Sequence, residues 1–227
     1  MRGVLFVALL CGGCGEVLET PSDAPDPDGP IVDGPEEPEE VSVAALRAIP
    51  DGPANVTVVV THTYLRQRNL HLQRDQSGPG LSMFVPAAMP LPDMVPGNTV
   101  KLHVTQMGTF SGNKQILAAT IVENDNGSAN LDALSQLLTI APNEDLEGEL
   151  VRIQRGTVTA HTPPNIFTVQ LSSNAIIKLF SPAGVQVGLC VGATFDLRAV
   201  VVEFMGEYEV DSADVLDYAN VITTACP

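Results

Sequence analysis

Tryptophan is absent from this chain, and the other aromatics are scarce, with three Tyr and seven Phe in 227 residues. Broad stacking platforms are therefore not on offer. Positive charge is short as well: 11 Lys and Arg stand against 27 Asp and Glu, for a formal charge of −16 and a pI near 4.3. Phosphate binding needs clustered cations, so this balance argues against nucleic acid as a partner of the protein as a whole. Only four cysteines occur: Cys11, Cys14, Cys190 and Cys226. Catalytic signatures are missing too. There is no Gly-x-Ser-x-Gly turn, Walker loop, dinucleotide fingerprint or His-Glu-x-x-His. The expectation is a non-enzymatic chain with no cofactor and no metal.

What is present starts at the N-terminus. MRGVLFVALLCGGC places one Arg before a short apolar run and then small residues, the layout of a secretory signal and too short to span a bilayer. Gly12 and Gly13 directly precede Cys14. These residues resemble the lipobox of a bacterial lipoprotein, with Cys11 where Leu is usual. The resemblance implies removal of residues 1–13 and diacylation of Cys14, with palmitate-like chains adding about 0.8 kcal/mol of membrane hold per buried methylene. It also implies a cell-envelope location, lipid-anchored. Gly15 rather than Asp after the cysteine favours the outer membrane.

Residues 15–41 hold ten acids, no Lys or Arg, and six prolines between Pro21 and Pro38. Such a stretch cannot bury enough surface to fold and extends by self-repulsion, so residues 14–42 read as a disordered acidic tether. Beyond it the charge divides. Residues 43–125 carry five acids and six bases, and residues 126–227 twelve acids and four bases.

The two parts are copies of one unit. Gly97, Thr99 and Leu102 match Gly192, Thr194 and Leu197, and Phe110-Ser111-Gly112 matches Phe204-Met205-Gly206. Upstream, Val60-Thr61-His62 and Leu72-Gln73 match Val158-Thr159-Ala160 and Val169-Gln170, so the period of about 95 residues makes each copy a domain. Inside the copies apolar residues alternate with polar ones, as in Val56, Val58, Val60 and in Phe167, Val169, Leu171, which is the period of half-buried strands. Gly78-Pro79-Gly80, Ser111-Gly112-Asn113 and Pro182-Ala183-Gly184 read as turns. One short helix is expected at Leu131, Leu134, Leu137 and Leu138, capped by Ser128 or Asn130 and packed between the copies.

The expected fold class is all-β: two tandem small barrels at 43–125 and 146–227, with a linker at 126–145 that holds the helix. The runs Leu146-Glu147-Gly148-Glu149-Leu150-Val151-Arg152-Ile153 and Gly156-Thr157-Val158-Thr159, with the glycine and Phe-x-Gly motifs above, resemble the OB-like barrels of secreted and cell-surface bacterial proteins. Those barrels often accompany extracellular nuclease or lamin-tail-like domains. OB barrels bind polymers across one face, but the resemblance carries over no catalytic residues.

Candidate sites are few. Cys190 and Cys226 remain after processing, and an exported chain favours their pairing. A bond would close a loop of about 36 residues and stabilise by about 3 to 4 kcal/mol; the alternative is two unpaired thiols. The one basic cluster lies in RQRNLHLQR, where Arg66, Arg68, His71 and Arg74, with Tyr64 for stacking, suit an anion, a polysaccharide or a single-stranded nucleic acid. The alternative is a solvated hairpin with Arg stems laid along strand edges. His62 and His71 read as solvated or edge residues on opposite faces, unless a bulge intervenes. Glu207, Glu209 and Asp211 read as a solvated stripe that does not converge on calcium. The Met- and Pro-rich run from Met83 to Pro96 reads as a loop over the end of the first barrel, open to a partner. The resulting expectation is an anchored envelope lipoprotein that presents two barrels to envelope proteins or glycans. Its alternative is a nucleic-acid- or anion-binding accessory acting through the first barrel, assisting a secreted nuclease.

Overall fold

The alternating stretches become strands in the computed structural model, which describes residues 37–224. The first copy holds β1 (Glu39–Glu40), α1 (Val43–Arg47), β2 (Gly52–Arg66), β3 (Asn69–Gln73), β4 (Leu81–Phe84), β5 (Thr99–Phe110) and β6 (Asn113–Asn124). Between the copies lie α2 (Leu131–Leu134) and β7 (Gln136–Leu137). The second copy holds β8 (Leu150–Thr162), β9 (Ile166–Gln170), β10 (Ile176–Phe180), α3 (Pro182–Gln186), β11 (Thr194–Phe204), β12 (Glu207–Asp211) and β13 (Tyr218–Ile222).

Each copy closes on itself. In the first, hydrogen bonds run β2–β3–β4–β6–β5 and back from β5 to β2; in the second, β8–β9–β10–β12–β11 and back to β8. Only the third and fifth barrel strands pair in parallel, β4 with β6 and β10 with β12. This is the strand order of an OB barrel, and it appears twice. Leu70, Leu72, Leu81, Leu102 and Met107 fill the first barrel, and Phe167, Val169, Leu179, Phe195 and Leu197 the second.

The copies agree in local detail. Gly97 and Gly192 both have positive φ, where glycine avoids a Cβ clash. In the first copy His62 N–H donates to Asn98 O (2.9 Å) and Gly97 N–H to His62 O (2.7 Å). In the second, Val158 N–H donates to Ala193 O (2.9 Å) and Gly192 N–H to Val158 O (2.8 Å). His62 therefore occupies the place of Val158, two positions away from the sequence match with Ala160. A bulge follows in both, between His62 and Tyr64 and between Val158 and Ala160.

Two expectations change. The end of the acidic segment lies on the first barrel: β1 runs parallel on β2, Val41 N–H donates to Thr57 O (2.8 Å), and Glu40 meets Lys101 (2.8 Å). An unpaired strand edge and one lysine are enough to seat the last acids. The linking helix stops at Leu134, capped by Asn130 as expected, because Gln136 and Leu137 pair with β8 instead. Leu131 still packs between the barrels, beside Tyr64, Leu150, Val200 and Val202.

Cys14, the signal segment and most of the acidic tether lie outside the described residues, as does Cys226 and with it the pairing of Cys190.

Candidate functional site: the junction of the barrels

Strand parity decides what the first barrel turns outward. Leu70 and Leu72 of β3 enter its core, so Asn69, His71 and Gln73 face away from it. The outward face of the second and third strands is where OB barrels bind polymers. Here the second barrel covers it. Gln73 accepts from Leu150 N–H (3.0 Å) and donates to Leu134 O (3.1 Å). Gly80 N–H donates to Glu147 O (2.8 Å), and the Gly80 and Gly148 backbones approach so closely that neither position has room for a Cβ. Arg47 reaches Glu144 and Glu147, each at 2.6 Å. Tyr64 donates to Asp217 (2.6 Å) and accepts from Ala213 N–H (2.8 Å).

The basic cluster is dispersed by the same packing. Arg66 ion-pairs with the buried Asp211 and lies 4.9 Å from the Phe180 ring centre. Arg68 donates to the carbonyls of Val85 (2.7 Å), Pro86 (2.8 Å) and Met89, tying the turn to the Met–Pro loop. Tyr64 and His71 are buried, and Arg74 alone of the five is exposed. The expected anion patch is thus not one surface: the long side chains of a hairpin tip meet the neighbouring barrel before they meet solvent.

Both expectations for a solvated surface at this junction are overturned. His62 and His71 are buried, the bulge having put Tyr64 opposite His71. Of the acidic stripe only Glu207 is exposed, while Glu209 and Asp211 run into the junction. Burial sets their chemistry. It lowers the His71 pKa to about 3, helped by the Arg66 charge, so its imidazole is neutral. Burial raises Asp211 to about 7 against the pull of Arg66, and raises Glu149 to about 7 against its bond from Gln136.

A cleft of about 150 Å³ remains at the junction. On one side stands a row across three strands, His71 opposite Ser82 and Ser82 opposite Gln115. The other side is Val202, Glu203 and Phe204 of β11 and Glu209 of β12. Asn113 holds the walls together, donating to Glu203 O and accepting from Glu203 N–H (3.1 Å). Phe110 and Phe204, the two Phe-x-Gly aromatics, line the same cleft while 66% and 45% exposed. Sequence reading singled out both turns as repeat markers and His71 as a ligand contact. It missed Asn69, Ser82 and Gln115, whose alternation with core residues was the one available signal.

Two other places gather chemistry-bearing or apolar side chains. Oxygens of Glu144, Glu147 and Glu203 lie within 4.8 Å of one another, but Arg47 neutralises two of these carboxylates and the Tyr208 hydroxyl donates to Glu144 (2.5 Å). Under the Met–Pro loop an apolar groove of about 390 Å³ is lined by Phe84, Val85, Met89, Leu91 and Leu117.

No protein-family model and no characterised protein matches the chain by sequence. Solved structures with a similar course include the tetrameric p202 HIN2, at 15% identity over 77% of this chain and 97% of that one, with a TM-score of 0.38. A murine DNA-binding protein bound to double-stranded DNA matches at 12% identity over 73% and 98%, also with a TM-score of 0.38. At these values neither bears on the function of this chain, and the barrel assignment stands on strand pairing.

Proposed function

We propose that the protein is a non-enzymatic lipoprotein of the cell envelope, anchored through acylated Cys14, whose two OB-like barrels act as one module that binds an envelope protein or glycan. The observation that carries this reading is the junction. The face with which a lone OB barrel would grip a polymer is covered, and uncharged hydrogen-bonding groups make up half of the lining of the space left beside it. Arg66, Arg68 and Tyr64 are engaged within the chain, which leaves the nucleic-acid alternative with Arg74 as the exposed arginine of its hairpin. The acidic segment supports a role as spacer between membrane and barrels, and the absence of catalytic motifs supports binding without turnover.

Intact mass spectrometry of the mature protein from its native membrane fraction, before and after reduction, tests the anchor. Acyl mass on an N-terminal Cys14, with hydrogen mass gained on reduction of the Cys190–Cys226 bond, is the expected result. An unacylated chain cut elsewhere overturns the lipoprotein reading. In the same preparation, oligonucleotide binding that falls steeply with salt and is lost in Arg74→Ala would return the first barrel to polyanion binding.

A further inference from the structure

Two side chains more than nine-tenths buried, His71 and Gln115, line the junction cleft, and the first of them has a ring nitrogen with no partner among the described residues. His71 is 3% exposed with an unpartnered Nδ1, and Gln115, 7% exposed, lines the same wall. Asn69, beside them, has an unpartnered Oδ1. Buried polar groups are ordinarily paired, because each unpaired one forfeits the bonds it made to water. Two adjacent ones on one cleft wall, at His71 and Asn69, mark a place where bonds are to be made to something that enters.

We infer that this cleft is a binding site for a single neutral sugar ring. The inference rests on the envelope-module reading above and names the ligand that such a module would hold here. Size sets the first limit, since about 150 Å³ is the space of about five waters and admits one six-membered ring with its hydroxyls. Hydrogen-bonding character sets the second. A neutral imidazole offers one donor and one acceptor, and a carboxamide offers both kinds as well. Hydroxyls, which donate and accept, satisfy that mixture better than an ion does.

Charge sets the third limit. Arg66 is committed to Asp211 and Phe180, and Glu209 lies 3.2 Å from Lys178. Glu203 remains as a carboxylate able to accept from paired hydroxyls, and with Glu209 it repels an anion. A cation meets Arg66 in the same small space. Finally, Phe110 and Phe204 give the cleft exposed apolar walls, suited to the C–H face of a sugar ring.

The test is an amide-detected NMR titration of the full mature chain with glucose, galactose and N-acetylglucosamine, with glucuronate and glucosamine as charged controls. A neutral sugar is expected to shift β3, β6 and β11 amides saturably, with a Kd of about 1 to 10 mM, while glucuronate shifts nothing there. Gln115→Met should weaken that binding about tenfold, the loss of one good contact. It should leave the Tm near that of the parent, because backbone pairing to its two neighbouring strands, which the variant keeps, holds residue 115 in place. Phe204→Ala should weaken binding without unfolding, as its ring is half exposed. The inference is overturned by no saturation with any neutral sugar at about 100 mM. It is equally overturned by shifts confined to other strands, by tighter binding of a charged control, or by Gln115→Met binding as the parent does. Failure here leaves acylated Cys14 intact, and an unacylated chain leaves the titration readable, so the two readings fail separately.

Discussion

The two barrels share a strand order and a bulge, yet treat the outward face of their second and third strands in opposite ways. On β3 that face carries Asn69, His71 and Gln73 and is closed over by the second barrel. On β9 and β10 it carries Thr168, Gln170, Ile176 and Lys178, all partly or well exposed. One unit has thus been used twice, once as a surface and once as half of a junction. Repetition of a fold fixes its core and turns. It leaves open which outward residues will have to find partners.

The comparison breaks most sharply at Gly148. Its φ is +77 and its backbone lies against Gly80, so Gly148→Ala should cost about 3 kcal/mol or more and push the barrels apart. Gly188 has a similar φ of +78 with nothing near an added Cβ, and Gly188→Ala should cost about 1 kcal/mol of backbone strain. Thermal unfolding of the pair separates strain from contact, and equal losses would mean that the junction is not tight.

Removing Arg66 comes next. Arg66→Ala leaves Asp211 buried without its ion-pair partner and should destabilise by about 3 to 5 kcal/mol, partly recovered by adding Asp211→Asn. Denaturant midpoints measure both. A solvated hairpin would lose less than a tenth of that, and such a result would restore the open-patch picture.

Acid response distinguishes junction from surface by its sign. Burial raises Glu149 from 4.5 to about 7. Between those values the native state keeps a proton that the unfolded state has lost, so the parent loses stability as pH rises across the window. Glu149→Gln has no such proton and should gain about 2 to 3 kcal/mol on the parent between pH 4.5 and 7. Asp196, on the outside of the second barrel, is held below its usual 3.8 by Arg155 N–H and the Asn220 side chain. Asp196→Asn should therefore remove an advantage that the parent enjoys above that pH and loses on acidification. Parallel pH curves for the two variants would contradict the burial argument.

The smallest effect is at the bulge. Burial lowers the His62 pKa below 6.5, so the unfolded chain takes up a proton that the native one refuses, and stability falls as pH drops through that value. His62→Val installs the residue that the second copy has. It should change stability by about 1 kcal/mol or less at neutral pH, by trading one hydrogen bond against one unpaired nitrogen, and should overtake the parent below pH 6.5. Urea unfolding at two pH values decides it.

Much of the barrel interior was legible from alternation alone. Val58, Val60, Leu70 and Leu72 read as inward and are inward, and Ser111-Gly112 turns as expected, whereas Pro182-Ala183-Gly184, read as a turn, opens the short helix α3 capped by Ser181. The linking helix was overextended because Leu137 has helical spacing, whereas its backbone is captured by the free edge of β8. The repeat match slipped by two at His62 because side-chain similarity favoured Ala160. Backbone hydrogen bonds, which are blind to the side chain, align it with Val158.

By itself the sequence determined the two copies, their strands and turns, and the acidic segment ahead of them, since all of these follow from short-range periodicity, glycine placement and charge density. Tertiary structure alone decided what the polar faces do. A polar residue every second position reads the same whether water or another barrel lies over it. The difference appears only when Tyr64 meets Asp217, 153 residues away, or Arg47 meets Glu147, 100 residues away. Burial then changes the meaning of residues whose letters do not change: a basic hairpin becomes a clasp, two histidines become neutral, and polar side chains at Asn69 and His71 are left short of partners beside a cleft.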